Sequence, residues 1–243
     1  MLSAPTSKSA HLTHSGGLED ARQHGKDLKA VYGDMLNFLP QSCDRDQYSF
    51  RVTNNVITTQ TLGGLVKGLF PDLKEHSAWI QSSTYDSLEP TYSCPAASAL
   101  LSSYQGSNPA WTEHLNRSQE LRNHFNAVSG IENNDSAGWA SSWDHPYDNL
   151  SAKQCHQKAL PCSVNDTSIC ITQSDANSIY RLGNYEYAYR YRMAPNSTLY
   201  SALKMGAFMK ELQGHIQDKI AGTRTVKYQH KWVARTRGWD VGY

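Results

Sequence analysis

The sequence predicts a mixed α/β fold with a mostly helical middle, on three observations. Residues 48–71, YSFRVTNNVITTQTLGGLVKGLFP, read as strand, turn and helix. Residues 201–219 carry a helical apolar stripe, and residues 225–228 beyond it read as a strand. Between these stretches the periodic segments are helical and their connections are irregular and punctuated by proline.

Residues 1–11 are polar and are expected to be disordered. Thr13 or Ser15 caps a first helix. In it Leu18, Ala21, Gly25, Leu28, Tyr32 and Met35 keep one apolar face until near Pro40. Tyr48, Phe50 and Val52 then alternate with polar residues, the period of a half-buried strand. After the polar turn Thr53-Asn54-Asn55, Leu62, Leu65, Val66 and Leu69 recur at helical spacing, and Pro71 stops the run. The turn sets amides, hydroxyls and Arg51 at a helix N-terminus, which suits a phosphate. Taken alone, it is one βα unit of the kind many folds contain.

Asp86–Pro95 reads as a loop anchored by Cys94, and Ala97–Tyr104 as a short helix. Trp111–Val128 reads as one helical segment that buries Leu115, Leu121 and Phe125. Trp139, Trp143, His145 and Tyr147 form an aromatic patch, read as a small core under a long loop rather than a binding platform. A helical turn is expected over Asn149–Cys155. Tyr185–Arg192 alternates tyrosine with polar residues as a strand does, and a tyrosine-rich helix stays open. Arg190 and Arg192 read as surface salt-bridge residues rather than anion ligands. Ser201–Lys219 is expected to be a helix with Ala202, Met205, Met209, Leu212, Ile216 and Ile220 on one face, stopped by Gly222. Thr225–Tyr228 follows as a strand, and the last residues show no pattern.

The 243 residues suffice for one large domain or two small ones. With 23 basic and 22 acidic residues the net charge is +1, so no field points to nucleic acid or a membrane surface. Mean hydropathy is −0.61, and no apolar run is long enough for a membrane span. Cys155, Cys162 and Cys170 cluster in a loop-like stretch, and a disulfide between two of them is expected. Cys155-His156 with Cys162 fits no zinc spacing, so no metal or cofactor is expected. Glycosylation sequons stand at Asn116, Asn134, Asn149, Asn165 and Asn196. Cysteines and sequons together suggest a secreted or cell-surface protein. The first residues hold no apolar signal core, so that reading places the signal, and a partner for an odd fifth cysteine, outside these residues.

The runs HSGGLEDARQHGKDL, FRVTNNVITTQ, DSLEPTYSCP, CHQKALPC, LGNYEYAYRYR and VKYQH resemble the histidine acid phosphatase family, its fungal-type secreted branch in particular, from about Leu12 to His230. The resemblance implies a partial three-layer α/β core of the phosphoglycerate-mutase-like type with a mostly helical insertion. It puts residues 12–75 and 198–234 in the core, 76–197 in the insertion and 235–243 in an irregular tail. It implies phosphomonoester hydrolysis through a phosphohistidine, with a phosphomonoester small molecule as ligand. In the family pattern Arg-x-Thr-x-x-x-Arg-Thr the matching residues are Arg51, Thr53 and Thr58, while the second arginine falls on Ile57. Arg51 and Thr53 are therefore the candidate substrate-binding residues.

No Arg-His-Gly-x-Arg nucleophile motif is present. Arg22-Gln-His24-Gly25 is not one, because no apolar strand precedes it, and His24 is expected on a helix surface. Where the family continues after VKYQH to Ala-His-Asp-Gly, this chain has Ala234-Arg235-Thr236-Arg237-Gly238. The expectation is a phosphatase-like chain, a fragment of a longer natural one, that is inactive as written. The strand carrying the missing motif would be central, so the chain is expected to fold poorly alone. The competing readings are a non-catalytic glycoprotein that binds a phosphorylated ligand or partner, and a soluble domain unrelated to phosphate.

Overall fold

A computed structural model describes residues 15–44, 46–132, 135 and 138–232. The expected N-terminal disorder, Asn134, Ala234–Gly238 and the tail lie outside the described residues. Mixed α/β is the fold class, with a small parallel sheet and abundant helix. The described residues form two compact units, one of residues 15–93 with 205–232 and one of Cys94–Lys204.

The sheet unit is built on β1 (Tyr48–Val52), whose inward Tyr48, Phe50 and Val52 are all buried, as the alternation predicts. β1 pairs in parallel with β2 (Trp79–Ile80) on one side and β3 (Tyr228–Trp232) on the other. Among the described strands β1 is the middle one. β3 starts where the predicted strand was to end. Residues 225–227 instead lead in, with the Thr225 hydroxyl on the Asp46 carbonyl and the Lys227 amide on the Gln47 carbonyl.

α2 (Val56–Leu69) is capped by Asn55, whose side chain accepts from the Ile57 amide. Its Leu62, Leu65, Val66 and Leu69 pack with Leu39, Tyr48, Phe50, Val52 and Phe70 into one core cluster. α1 (Ser15–Leu28) crosses α2 at glycines. A Cβ on Gly25 would stand 2.1 Å from the Leu65 carbonyl oxygen, and one on Gly68 would stand 2.1 Å from that of Arg22.

The expected five-turn apolar face ends early. Residues Lys29–Met35 form a π-helix, with the Leu36 amide donating to the Val31 carbonyl. The wider turn rotates the stripe off the core, and Met35 is 76% exposed. α8 (Ser197–Ile220) is an uninterrupted α-helix, and on its expected apolar face Met209, Ile216 and Ile220 are exposed. The helix turns Phe208, Glu211 and His215 toward Lys231 of β3 instead.

In the helical unit, α3 (Pro95–Tyr104) is followed by two helices where one was expected. α4 (Pro109–Arg117) and α5 (Gln119–Ser129) break at Ser118. The Ser118 hydroxyl turns back onto the His114 and Leu115 carbonyls, which ends the first helix. α6 (Asp144–Cys155) begins earlier than expected. α7 (Gln173–Ala188) carries a Thr172–Asp175 capping box and runs into a π segment, Tyr189–Met193. The tyrosine-rich stretch is therefore helical rather than a strand, and Arg190 is buried rather than on the surface. The aromatic patch is core: Trp143 is fully buried with Phe125, Leu150, Ile171 and Ile179. A disulfide joins Cys162 to Cys170, and Cys155 stays outside it.

Candidate functional site

Arg51 is the residue around which the polar chemistry of the sheet unit collects. Register places it directly opposite Lys231 on the neighbouring parallel strand. Both side chains leave the sheet on the face away from the Tyr48–Phe50–Val52 cluster and are almost entirely buried. Glu211 of α8 meets both. Arg51 Nη1 donates to its two carboxylate oxygens at 2.5 and 2.6 Å, Lys231 Nζ donates to Oε1, and the Ser87 hydroxyl donates to Oε2 at 2.5 Å.

The other half of the Arg51 fork is held by the loop after β2. Nη2 donates to Gln81 Oε1 at 2.5 Å, Asp86 Oδ1 at 2.8 Å and Ser87 Oγ at 3.0 Å. Asp86 also accepts the Leu88 amide, which fixes the loop that presents it. Burial raises the pKa of Glu211, but hydrogen bonds from Arg51, Lys231 and Ser87 outweigh that and hold it at about 2. Burial of His215, with Lys231 and Arg224 nearby, lowers its pKa.

Thr53, the second residue expected to bind substrate, is fully buried. Its hydroxyl is 3.2 Å from that of Thr58, which also donates to the Thr53 and Asn55 carbonyls. The two threonines thus close the turn that starts α2. Ile57, where the family has an arginine, donates its backbone amide to the Asn55 cap. His24 lies exposed on α1, its ring 6.5 Å from that of His230. Burial, then the charge of His24, lowers His230 to a pKa of about 4.

The helical unit holds a second polar centre, which the sequence reading did not single out. Glu186 of α7 is buried, accepts the Trp143 amide on both oxygens at 3.0 and 2.8 Å, and lies 2.9 Å from His114 Nε2. Burial pushes its pKa up, against lowering contributions from His114, the Trp143 amide and Arg190. Arg122 stacks on the Trp143 ring at 3.7 Å and donates to the Trp139 and Ser142 carbonyls. A cleft of about 780 Å³ in the same unit is lined by Arg117, His124, Asp175 and Arg181 among others. Among the described residues, no three His, Cys, Asp or Glu side chains converge as a metal site requires. Among them, too, no helix is long and apolar enough to cross a membrane.

Of the sequons, Asn165 and Asn196 are exposed outside the helices. Asn116 is exposed near the end of α4, and Asn149 is half-buried within α6.

Comparison with known proteins gives a fold. No family model matches the chain, and no curated protein does. Among solved structures, a phytase from Klebsiella sp. ASR1 is similar, with a TM-score of 0.57 and 14% identity. The match covers 92% of this chain and 59% of the phytase, so the chain spans less than two thirds of that protein's length. At this identity the likeness is one of fold.

Proposed function

We propose that this chain is a phosphatase-like α/β protein of the histidine acid phosphatase type. In this reading it comes from a secreted, fungal-type branch and represents part of a longer protein. These 243 residues resemble a secreted acid phosphomonoesterase but do not themselves hydrolyse phosphomonoesters. The observation that carries the reading is the fold shared with the phytase over 92% of the chain. The candidate residues support its second half. A phosphohistidine mechanism needs a neutral imidazole flanked by arginines that hold the phosphoryl oxygens. His24 instead sits on an exposed helix face, and Arg51 spends its guanidinium on Glu211, Asp86, Gln81 and Ser87.

The test is turnover of a chromogenic aryl phosphate at acid pH by purified chain, with Arg51→Ala and His24→Ala beside it. Loss of a catalytic nucleophile costs about a millionfold in turnover, so the expected rate is background in all three. Robust turnover abolished by either substitution would place the active site where this reading denies it.

A second reading, a non-catalytic phosphatase-like glycoprotein that binds a phosphorylated ligand, is favoured by two cations, Arg51 and Lys231, side by side on adjacent strands. The secreted part of either reading is tested by expression behind an added signal. Endoglycosidase should then shift the mobility of the product, and an unchanged band would remove the support that the sequons give.

A further inference from the structure

We propose that Arg51, Lys231 and Ser87 form an oxyanion cradle in which the Glu211 carboxylate is a resident plug, and that inorganic phosphate or a phosphomonoester occupies it when the plug is withdrawn. The proposal rests on the phosphatase-like reading only for its choice of oxyanion. The cradle itself rests on four features of the site.

The first is strand register. Arg51 and Lys231 are direct partners on adjacent strands, and like charges so placed repel. A sheet keeps such a pair buried only if an anion lies between them. The second is the donor set on Glu211: two contacts from one arginine nitrogen, one from a lysine and one from a serine hydroxyl. Charged forks and hydroxyls of this kind hold phosphate oxygens equally well. Arg51 Nε, also buried, has no partner among the described residues and is a spare donor.

The third feature is the charge balance. Arg51 and Lys231 are offset by Asp86 and Glu211, so the cluster is neutral as it stands. Without the Glu211 charge it is left with one positive charge, which a monoanion of phosphate restores to neutrality. The fourth is access. The Glu211 side chain keeps 23% exposure, against 7% for Arg51 and 8% for Lys231, so the anion position is the side open to water. Asp86 and Gln81 hold the other half of the guanidinium, so Arg51 keeps its orientation when Glu211 leaves. Glu211 comes from α8, separate in sequence from both strands, so the plug and the cradle belong to different elements. Ordinary acidity does not empty the site, because the carboxyl is held at about 2.

The experiment uses the full chain as wild type, E211A and E211A/K231A. Inorganic phosphate binding is measured by calorimetry and by thermal unfolding in phosphate against chloride at matched ionic strength. E211A should bind phosphate at least about tenfold more tightly than wild type, and E211A/K231A should lose the gain. If E211A fails to fold, E211Q keeps the side-chain shape without the charge, and the same direction of change is expected. A folded variant that binds no tighter than wild type, or a gain that survives K231A, overturns the cradle. Aryl phosphate turnover is measured in the same samples. Hydrolysis by wild type would overturn the inactive reading of the chain while leaving the binding comparison intact.

Discussion

Two glutamates, one half-buried in the sheet unit and one buried in the helical unit, are driven in opposite directions. Glu211 sits against Arg51 and Lys231 and is held at about 2; Glu186 is buried against His114, a backbone amide and Arg190, and is pushed up. Both make several hydrogen bonds, so satisfaction of the oxygens does not explain the difference. Full cations in contact do. Glu211 touches two of them and keeps some water, whereas Glu186 receives its contact from a histidine and an amide and has almost no exposure. Two full cations in contact outweigh burial at Glu211, whereas a histidine and an amide do not at Glu186.

The largest expected effect in testing this comparison comes from Trp143, whose amide supports Glu186 and whose ring stacks under Arg122. Trp143→Ala should cost about 3–5 kcal/mol, seen in thermal unfolding, because the side chain is fully buried. Hydrogen exchange should show the loss in α5, α6 and α7 first. Loss concentrated in β1 would break the division between the two centres.

Glu211→Gln should cost about 3 kcal/mol, near the low end for breaking a buried pair because the side chain keeps some water. Its pH dependence sharpens the comparison. The pKa of Glu211 is lowered on folding, from 4.5 to about 2, so its stabilisation is complete above 4.5 and is lost as pH falls toward 2. The wild type should lose stability across that window in urea titrations, and the variant should lose less. Equal slopes would show that Glu211 does not feel its two cations.

Cys162→Ser should cost about 2.5 kcal/mol by the chain-entropy account of an eight-residue separation. Non-reducing mass mapping should find Cys162 joined to Cys170, and free thiols at both positions in secreted material would remove this support of the helical unit. The smallest effect belongs to Glu186→Gln, within about 1 kcal/mol, since the amide matches the neutral carboxyl toward which burial shifts the group. The sign is opposite to that of Glu211. A raised carboxyl stabilises below its unfolded pKa and loses that contribution as pH rises through the folded value. The variant should therefore gain on wild type toward neutral pH, and a growing deficit there would reverse the assignment.

The local part of the fold was legible. The alternation of Tyr48, Phe50 and Val52, the polar turn Thr53–Asn55 and the Leu62–Leu69 stripe each match the element formed, because neighbours in sequence decide them. The π segments at Lys29–Met35 and Tyr189–Met193 leave no periodic trace, so both the expected stripe on the first helix and the alternation of tyrosines misled. On α8 the larger apolar stripe drew attention from the polar one, Glu211 and His215, which is the one that meets Lys231. Arg51 could be picked out by a pattern. Its partner Glu211 lies 160 residues away, and no spacing rule reaches that far.

Strand order also sets a timetable for synthesis. β1 and β3 are register partners about 180 residues apart, so the ladder between Tyr48 and Tyr228 closes only when almost every described residue exists. At ribosomal speeds that interval is roughly 10–40 s. Throughout it the long edge of β1 stands unpaired, an open template for another chain. All of the helical unit, with its Cys162–Cys170 disulfide, emerges inside the same interval and can reach its own core first. Ribosomes that stall between Lys204 and Tyr228 would release a helical unit already folded, tethered to a β1 strand with that edge still exposed.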